Sequence, residues 1–193
     1  MREMFRDKSR DEMAENLNSS GVKAEMPDRG RPEEGIRSGS ILLRLLIGQQ
    51  SLGLIDILDG GLIMWINVVR VKRRDRHSGP RYRAVLGIPD ENIPMNHKQL
   101  RIKTVRKKSF PVFGQVTDVY WEGKGNLQPL VKVFSDDLDI DNVVTDLGNM
   151  SVYTHPNKFQ GWTLELDRMF VPTESRWATF QKIANYLLSS DRS

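Results

Sequence analysis

The sequence predicts an α+β fold: a mostly antiparallel sheet with a C-terminal amphipathic helix packed on it, preceded by a disordered, charged N-terminal tail. Three observations carry this reading. Residues 54–169 hold short segments rich in β-branched and aromatic side chains, separated by glycine- and proline-bearing turns. Residues 174–188 place Trp177, Phe180, Ala184, Leu187 and Leu188 on one helical face. Residues 1–37 have few aliphatic or aromatic side chains and are interrupted by Pro27, Pro32 and several glycines.

The tail is expected to span residues 1–37 and a single domain residues 38–193. Within the tail, residues 10–17 could form a short helix, but Met13 and Leu17 alone offer little to anchor it. Residues 41–47 read equally as a helical turn or a short strand. Residues 54–58 and 62–73 flank Asp59-Gly60-Gly61, a turn sequence that supplies positive φ, and so predict a β-hairpin. Further strands are expected at 82–88, 100–105, 112–121, 130–134, 151–154 and 162–169, with a short helix near 140–147. Thr173, directly after Pro172, is placed to cap the last helix.

A chain of 193 residues can bury one proper core and leave a tail outside it. It has no cysteine, which excludes disulfides, thiolate metal sites and a cysteine nucleophile. Its most apolar stretch, residues 41–71, is interrupted by Arg44, Gln49, Gln50, Asp56 and Asp59, whereas a membrane span needs about 20 nearly uncharged residues. The N-terminus mixes Arg2, Arg6 and Arg10 with Glu3, Asp7, Asp11 and Glu12, unlike a secretory leader. An intracellular protein is expected, cytoplasmic or nuclear, neither secreted nor transmembrane.

Charge is unevenly spread. The net formal charge is −1 over residues 1–40, +9 over 41–110 and −4 over 111–193. A basic β-rich part (41–110) is thus followed by an acidic β/α part (111–193), a pattern that also suits self-association between the two. In Val69-Arg70-Val71-Lys72 and Leu100-Arg101-Ile102-Lys103 the bases alternate with aliphatics, so each strand would show its bases on one face. Arg81 and Arg83 repeat the spacing between them. Were these strands neighbours, one sheet face would carry Arg70, Lys72, Arg73, Arg74, Arg76, Arg81, Arg83, Arg101, Lys103, Arg106, Lys107 and Lys108. Such a face suits nucleic-acid phosphates, a nucleoprotein or an anionic membrane surface. Lys72-Arg73-Arg74-Asp75-Arg76 also resembles a nuclear-import cluster.

Other patterns point to structure rather than chemistry. Arg29-Gly30-Arg31-Pro32 resembles the core of the AT-hook, but Asp28, Glu33 and Glu34 surround it. The acids from Asp136 to Asp141 lack the glycine and glutamate of a calcium loop and suit a helix N-terminus instead. His77, His97 and His155 lack metal-ligand spacing, and no phosphate loop or nucleophile elbow occurs. Asp118, Glu122, Glu165 and Asp167 are the best paired-carboxylate candidates, with solvent exposure the simpler expectation. Most of Tyr120, Trp121, Tyr153, Trp162 and Trp177 are expected in the core between sheet and helix, the alternative being a stacking platform for bases or a ligand pocket. No catalytic residue, metal site or cofactor is expected.

Asn149-Met150-Ser151-Val152-Tyr153-Thr154-His155-Pro156, followed by Trp162-Thr163-Leu164-Glu165-Leu166 and a closing helix, resembles the end of the small matrix proteins of negative-strand RNA viruses, the bornavirus type in particular. The likeness covers roughly 40 residues and rests on a strand–proline–strand–helix order. It implies a protein that meets membrane and nucleoprotein and assembles with itself. The expected function is therefore non-enzymatic docking of a basic sheet face on a polyanion. The alternative is a small-molecule-binding or catalytic domain with a pocket between the sheet and the C-terminal helix.

Overall fold

The computed structural model describes residues 7–36, 48–72, 79–94, 99–108, 116–155 and 159–190. Helix α1 (Ser9–Ser19) and strand β1 (Ala24–Glu25) precede β2 (Gln49–Ile57), β3 (Trp65–Val71), β4 (Arg81–Pro89), β5 (Arg101–Lys108) and β6 (Val116–Gly123). Two helices follow, α2 (Gln128–Asp136) and α3 (Leu138–Leu147), then β7 (Met150–Thr154), β8 (Gly161–Leu166) and α4 (Glu174–Ser189). The strands form one eight-stranded sheet in the order β1-β2-β3-β4-β8-β7-β5-β6. Each recorded pairing is antiparallel. The α+β architecture with a closing helix is as the sequence predicts.

Alternation along the strands divides the sheet into two unlike faces. Ile55, Ile66, Leu86, Leu164, Val152 and Ile102 are aligned across six strands from β2 to β5. All six are fully buried, beneath the apolar sides of the four helices. The neighbouring row on the other face runs Leu54, Asn67, Val85, Glu165, Ser151, Lys103 and Glu122. It is apolar only at its β2–β4 end, where Ile36, Leu54, Trp65, Val69, Val71 and Val85 make a smaller cluster with Phe159 against it.

Local signals explain most elements. The β2–β3 hairpin turns at Gly60, whose φ is +75°, and the Asp59 carboxylate accepts from the Gly61 amide at 2.9 Å. Thr173 caps α4 by accepting from the Arg176 amide at 3.2 Å, and Trp177, Phe180, Ala184 and Leu187 are buried. Asp137 caps α3, accepting from the amides of Asp139 and Ile140. The acids there complement a helix terminus, as expected.

Two expectations are corrected. Residues 130–134 belong to helix α2, not to a strand. Leu-Val-Lys-Val-Phe fits both periods, but Leu130 and Phe134 are buried four residues apart, and Pro129 stands in the first turn where its missing N–H costs nothing. The disordered tail expected over residues 1–37 does not extend to 7–36, which are folded. Met13, Ala14, Leu17, Val22, Ala24 and Ile36 are all buried, and β1 pairs with β2. The few apolar residues of this segment nearly all point inward, and polar groups supply the remaining anchors. Asn18 bonds Ala24 in both directions, and Asn67 Nδ2 donates to the Ile36 carbonyl at 2.9 Å. The segment 41–47, left open between helix and strand, lies outside the described residues.

Candidate polyanion-binding face

The register decides which bases meet. Val69 stands opposite Arg83 and Val71 opposite Arg81, so both arginines share the face of the smaller apolar cluster, away from the helices. Arg101 and Lys103 stand opposite Tyr153 and Ser151 on that same face, and Lys107 follows by alternation. Five of the expected bases are therefore co-facial: Arg81 and Arg83 on β4, and Arg101, Lys103 and Lys107 on β5.

Arg70 and Arg106 are not among them. Arg70 stands opposite Tyr82, on the helix side, and its guanidinium lies 3.7 Å from Asp7. Arg106 reaches the C-terminal end of α3, donating to the carbonyls of Val144 and Thr145, which suits a cation against a helix C-terminus. Burial there, with Arg168 nearby, holds the Arg106 guanidinium below its ordinary pKa. Lys72 is exposed just beyond β3. Arg73, Arg74, Arg76 and the side chain of Lys108 lie outside the described residues, and so does most of the import-like cluster.

The condition that the basic strands be neighbours is met only in part. β3 and β4 pair, but β8 and β7 intervene between β4 and β5, a separation of about 14 Å. The strip between them carries buried Thr163 and Glu165 with half-buried Ser151 and Tyr153. Local hydrophobic alternation sets which face each base occupies, whereas strand order depends on pairings between distant segments and leaves no local trace.

On the outer side of β5, the acids of β6 answer its bases. Lys103 pairs with Glu122 at 3.1 Å and Lys107 with Asp118 at 3.3 Å. The acidic C-terminal half thus meets the basic middle within one chain. A groove of about 840 Å³ opens along this edge, lined by Gln99, Arg101, Lys103, Glu122, Lys124 and Leu127 among others.

The aromatics divide by face. Trp121, Trp162 and Trp177 are buried in the helix-side core, where Trp162 and Trp177 donate to Asp90 and Asp59 at 3.0 and 3.1 Å. Tyr153 and Tyr120 are instead half-buried on the opposite face. The Arg101 guanidinium lies 5.1 Å from the Tyr153 ring centre, and the Lys107 ammonium 5.0 Å from that of Tyr120. Burial and the nearby Glu165 carboxylate push the Tyr153 phenol up. The sequence held the signal for both: Tyr153 follows buried Val152 and Tyr120 precedes buried Trp121, so each alternates to the other face.

The remaining candidates do not converge on a reactive centre. Asp118 and Glu122 lie on β6, separated by β5 and β7 from Glu165 on β8. Asp167 accepts from Asn149 at 2.9 Å. Among the described residues no three histidine or carboxylate side chains are grouped as metal ligands. The AT-hook-like arginines are engaged by protein. Arg29 holds Glu34 and donates to the carbonyls of Ser51 and Leu52, and Arg31 pairs with Asp56 at 2.6 Å. A groove of about 280 Å³ between α2, α4 and the sheet is lined mainly by Leu100, Leu127, Leu130, Val133, Trp162 and Tyr186. Among the described residues no helix is long and apolar enough to cross a membrane. No protein-family model, curated protein or solved structure matches the chain.

Proposed function

We propose that this chain is a non-enzymatic binding and assembly protein that docks on a polyanion through the sheet face opposite its helices. The line of Arg101, Lys103 and Lys107 along β5, flanked by the half-buried Tyr153 and Tyr120 and co-facial with Arg81 and Arg83, carries the reading. A row of cations on a rigid strand attracts a chain of phosphates without needing sequence-specific contacts. The acids of β6 supply only a partial counter-charge, since their ion pairs with Lys103 and Lys107 are solvent-exposed and cheap to exchange. The matrix-like resemblance adds self-association and a nucleoprotein or membrane as the natural polyanion.

Salt titration tests the reading. The logarithm of affinity for nucleic acid falls with the logarithm of salt by about 0.7–0.9 per neutralised phosphate. Replacing Arg101, Lys103 and Lys107 with glutamine shallows that slope by about two to three and leaves the melting temperature nearly unchanged. Wild-type protein that binds neither nucleic acid, heparin nor anionic vesicles at low salt, where attraction is strongest, overturns it.

The apolar groove between α2, α4 and the sheet favours a second reading, a small apolar ligand held against Trp162. Quenching of tryptophan fluorescence by a fatty acid or similar amphiphile, with no polyanion binding, would select it.

A further inference from the structure

Resting on the polyanion reading, we infer that the ligand of this face is single-stranded nucleic acid, held by base stacking on Tyr153 and Tyr120 and by phosphate contacts to β5. Proteins that bind single strands combine a cationic track for the backbone with aromatic rings that accept any base. Both parts are present together on three adjacent strands. Tyr153 on β7 lies opposite Arg101, and Tyr120 on β6 lies opposite Val105. Four residues along the strand and two strand spacings across separate the rings by about 16 Å. Lys103 lies between them on the same face, so a strand crossing β5 diagonally from one ring to the other passes a cation midway.

The cations over the rings fit the same ligand. Arg101 covers Tyr153 and Lys107 covers Tyr120. A base laid against either ring brings its own phosphate within reach of the charge that now lies above it.

The acidic rim discriminates among polyanions. Asp118 and Glu122 stand on the outermost strand, directly outside Lys107 and Lys103. A duplex or a planar anionic bilayer extends past β5 and sets phosphates over these carboxylates, where like charges repel. A single strand meets β6 only at Tyr120, between the two carboxylates, and so sets fewer phosphates near them. Membrane insertion also lacks an apolar contact here. The exposed large hydrophobic residues among those described are Met26, Leu58, Met64, Val133, Leu138 and Val171, none of them on β5, β6 or β7.

The test compares four probes by fluorescence anisotropy and sedimentation with full-length protein. They are a mixed-sequence single-stranded oligonucleotide, its duplex, heparin as a polyanion without bases, and phosphatidylserine vesicles. The single strand should bind about tenfold or more tighter than the duplex at equal salt. Tyr153→Leu and Tyr120→Leu keep the bulk and remove the ring. Each should weaken single-strand binding roughly five- to a hundredfold, leave heparin binding unchanged, and be rescued by phenylalanine. Duplex or vesicles binding as tightly as the single strand overturns the inference while leaving the polyanion reading intact. So do leucine variants that bind the single strand like wild type. Failure to bind any of the four at low salt overturns both.

Discussion

The Arg10 guanidinium donates through Nε to the carbonyl oxygen of Leu54 at 2.8 Å, joining residues 44 positions apart. Its Nη2 donates to the Pro27 carbonyl at 2.7 Å, and Arg29 takes the carbonyls of Ser51 and Leu52. Between these acceptors the β2–β3 register slips by one residue at Gly53, whose φ is +121°. Among the described residues β1 pairs only with Asp56 and Ile57 of β2, so residues 51–54 have no strand along that edge, and the two arginines take the carbonyls of Ser51, Leu52 and Leu54. Gly53 has no side chain because a Cβ there would lie 2.8 Å from each arginine. The N-terminal segment is thus bolted to β2 by charge-assisted hydrogen bonds as well as by Met13 and Leu17.

Arg10→Met, which keeps most of the stem and removes the donors, should therefore destabilise the protein by about 2–4 kcal/mol, since the Leu54 and Pro27 oxygens lose a charged partner. Removing residues 1–36 should lower the denaturation midpoint far more, by exposing the apolar face under α1 and stripping β1 from β2. Urea unfolding checks both. A truncated chain melting like the full one would show that the segment contributes nothing to the fold.

These contacts mark where the sequence stops being readable. Seven strands (β2 to β8), helix α3 and the capped helix α4 follow from alternation, helical period and turn chemistry, all of which act over a few residues. The arginine clamp depends on a carbonyl 44 residues from Arg10, and neither partner announces the other. The candidate face divides in the same way. Alternation sets Arg101 and Lys103 on one side of their strand. Only long-range register shows that Arg70 lies on the opposite face from Arg83, and only strand order shows that Tyr153 and Tyr120 flank β5.

Close packing sets the second prediction. Trp177 is buried on α4, stacked edge-on against Phe180, with its indole nitrogen bonded to Asp59 in the β2–β3 turn. Trp177→Ala should cost about 3–5 kcal/mol, a large part of the 5–15 kcal/mol typical of a domain. On the other face, a Cβ on Gly87 would meet the Trp65 ring at 2.0 Å. Gly87→Ala should cost about 1–3 kcal/mol by displacing Trp65 from the smaller cluster. Chemical denaturation reports both, and tryptophan fluorescence should shift in each.

Acid should loosen the junction of α3 and α4. Burial pushes the Asp137 carboxyl up, but hydrogen bonds from Lys182 and Tyr186, with the Ile140 amide, outweigh it and hold the group below its ordinary value. Asp7 and Glu34 are lowered in the same direction by their own partners. A carboxyl depressed in the folded state contributes stability that is complete above its unfolded value, about 3.9 for aspartate, and is lost as pH falls through its folded value. Stability should be flat near neutrality and fall below about pH 4. Asp137→Asn should be less stable than wild type at pH 7 and show a shallower acid limb. An unchanged acid limb would mean that the Asp137 network does not differ between folded and unfolded chains.

The rim of β6 gives the last prediction. Asp118 and Glu122 pair with Lys107 and Lys103 at 3.3 and 3.1 Å, in contacts open to solvent. Exposed pairs of this kind contribute about 0–1 kcal/mol each to stability, so Asp118→Asn with Glu122→Gln should fold normally. Their effect on binding should be larger and selective. Removing both negative charges takes the carboxylate counter-charge from Lys103 and Lys107 and ends the repulsion of phosphates lying beyond β5, so duplex affinity should rise more than single-strand affinity. The duplex salt slope should steepen by roughly two, one contact for each lysine that loses its carboxylate partner. Parallel salt titrations of the two ligands measure this. An equal gain for both would show that the rim tunes total charge alone, and that the choice of ligand on this face rests with the tyrosines.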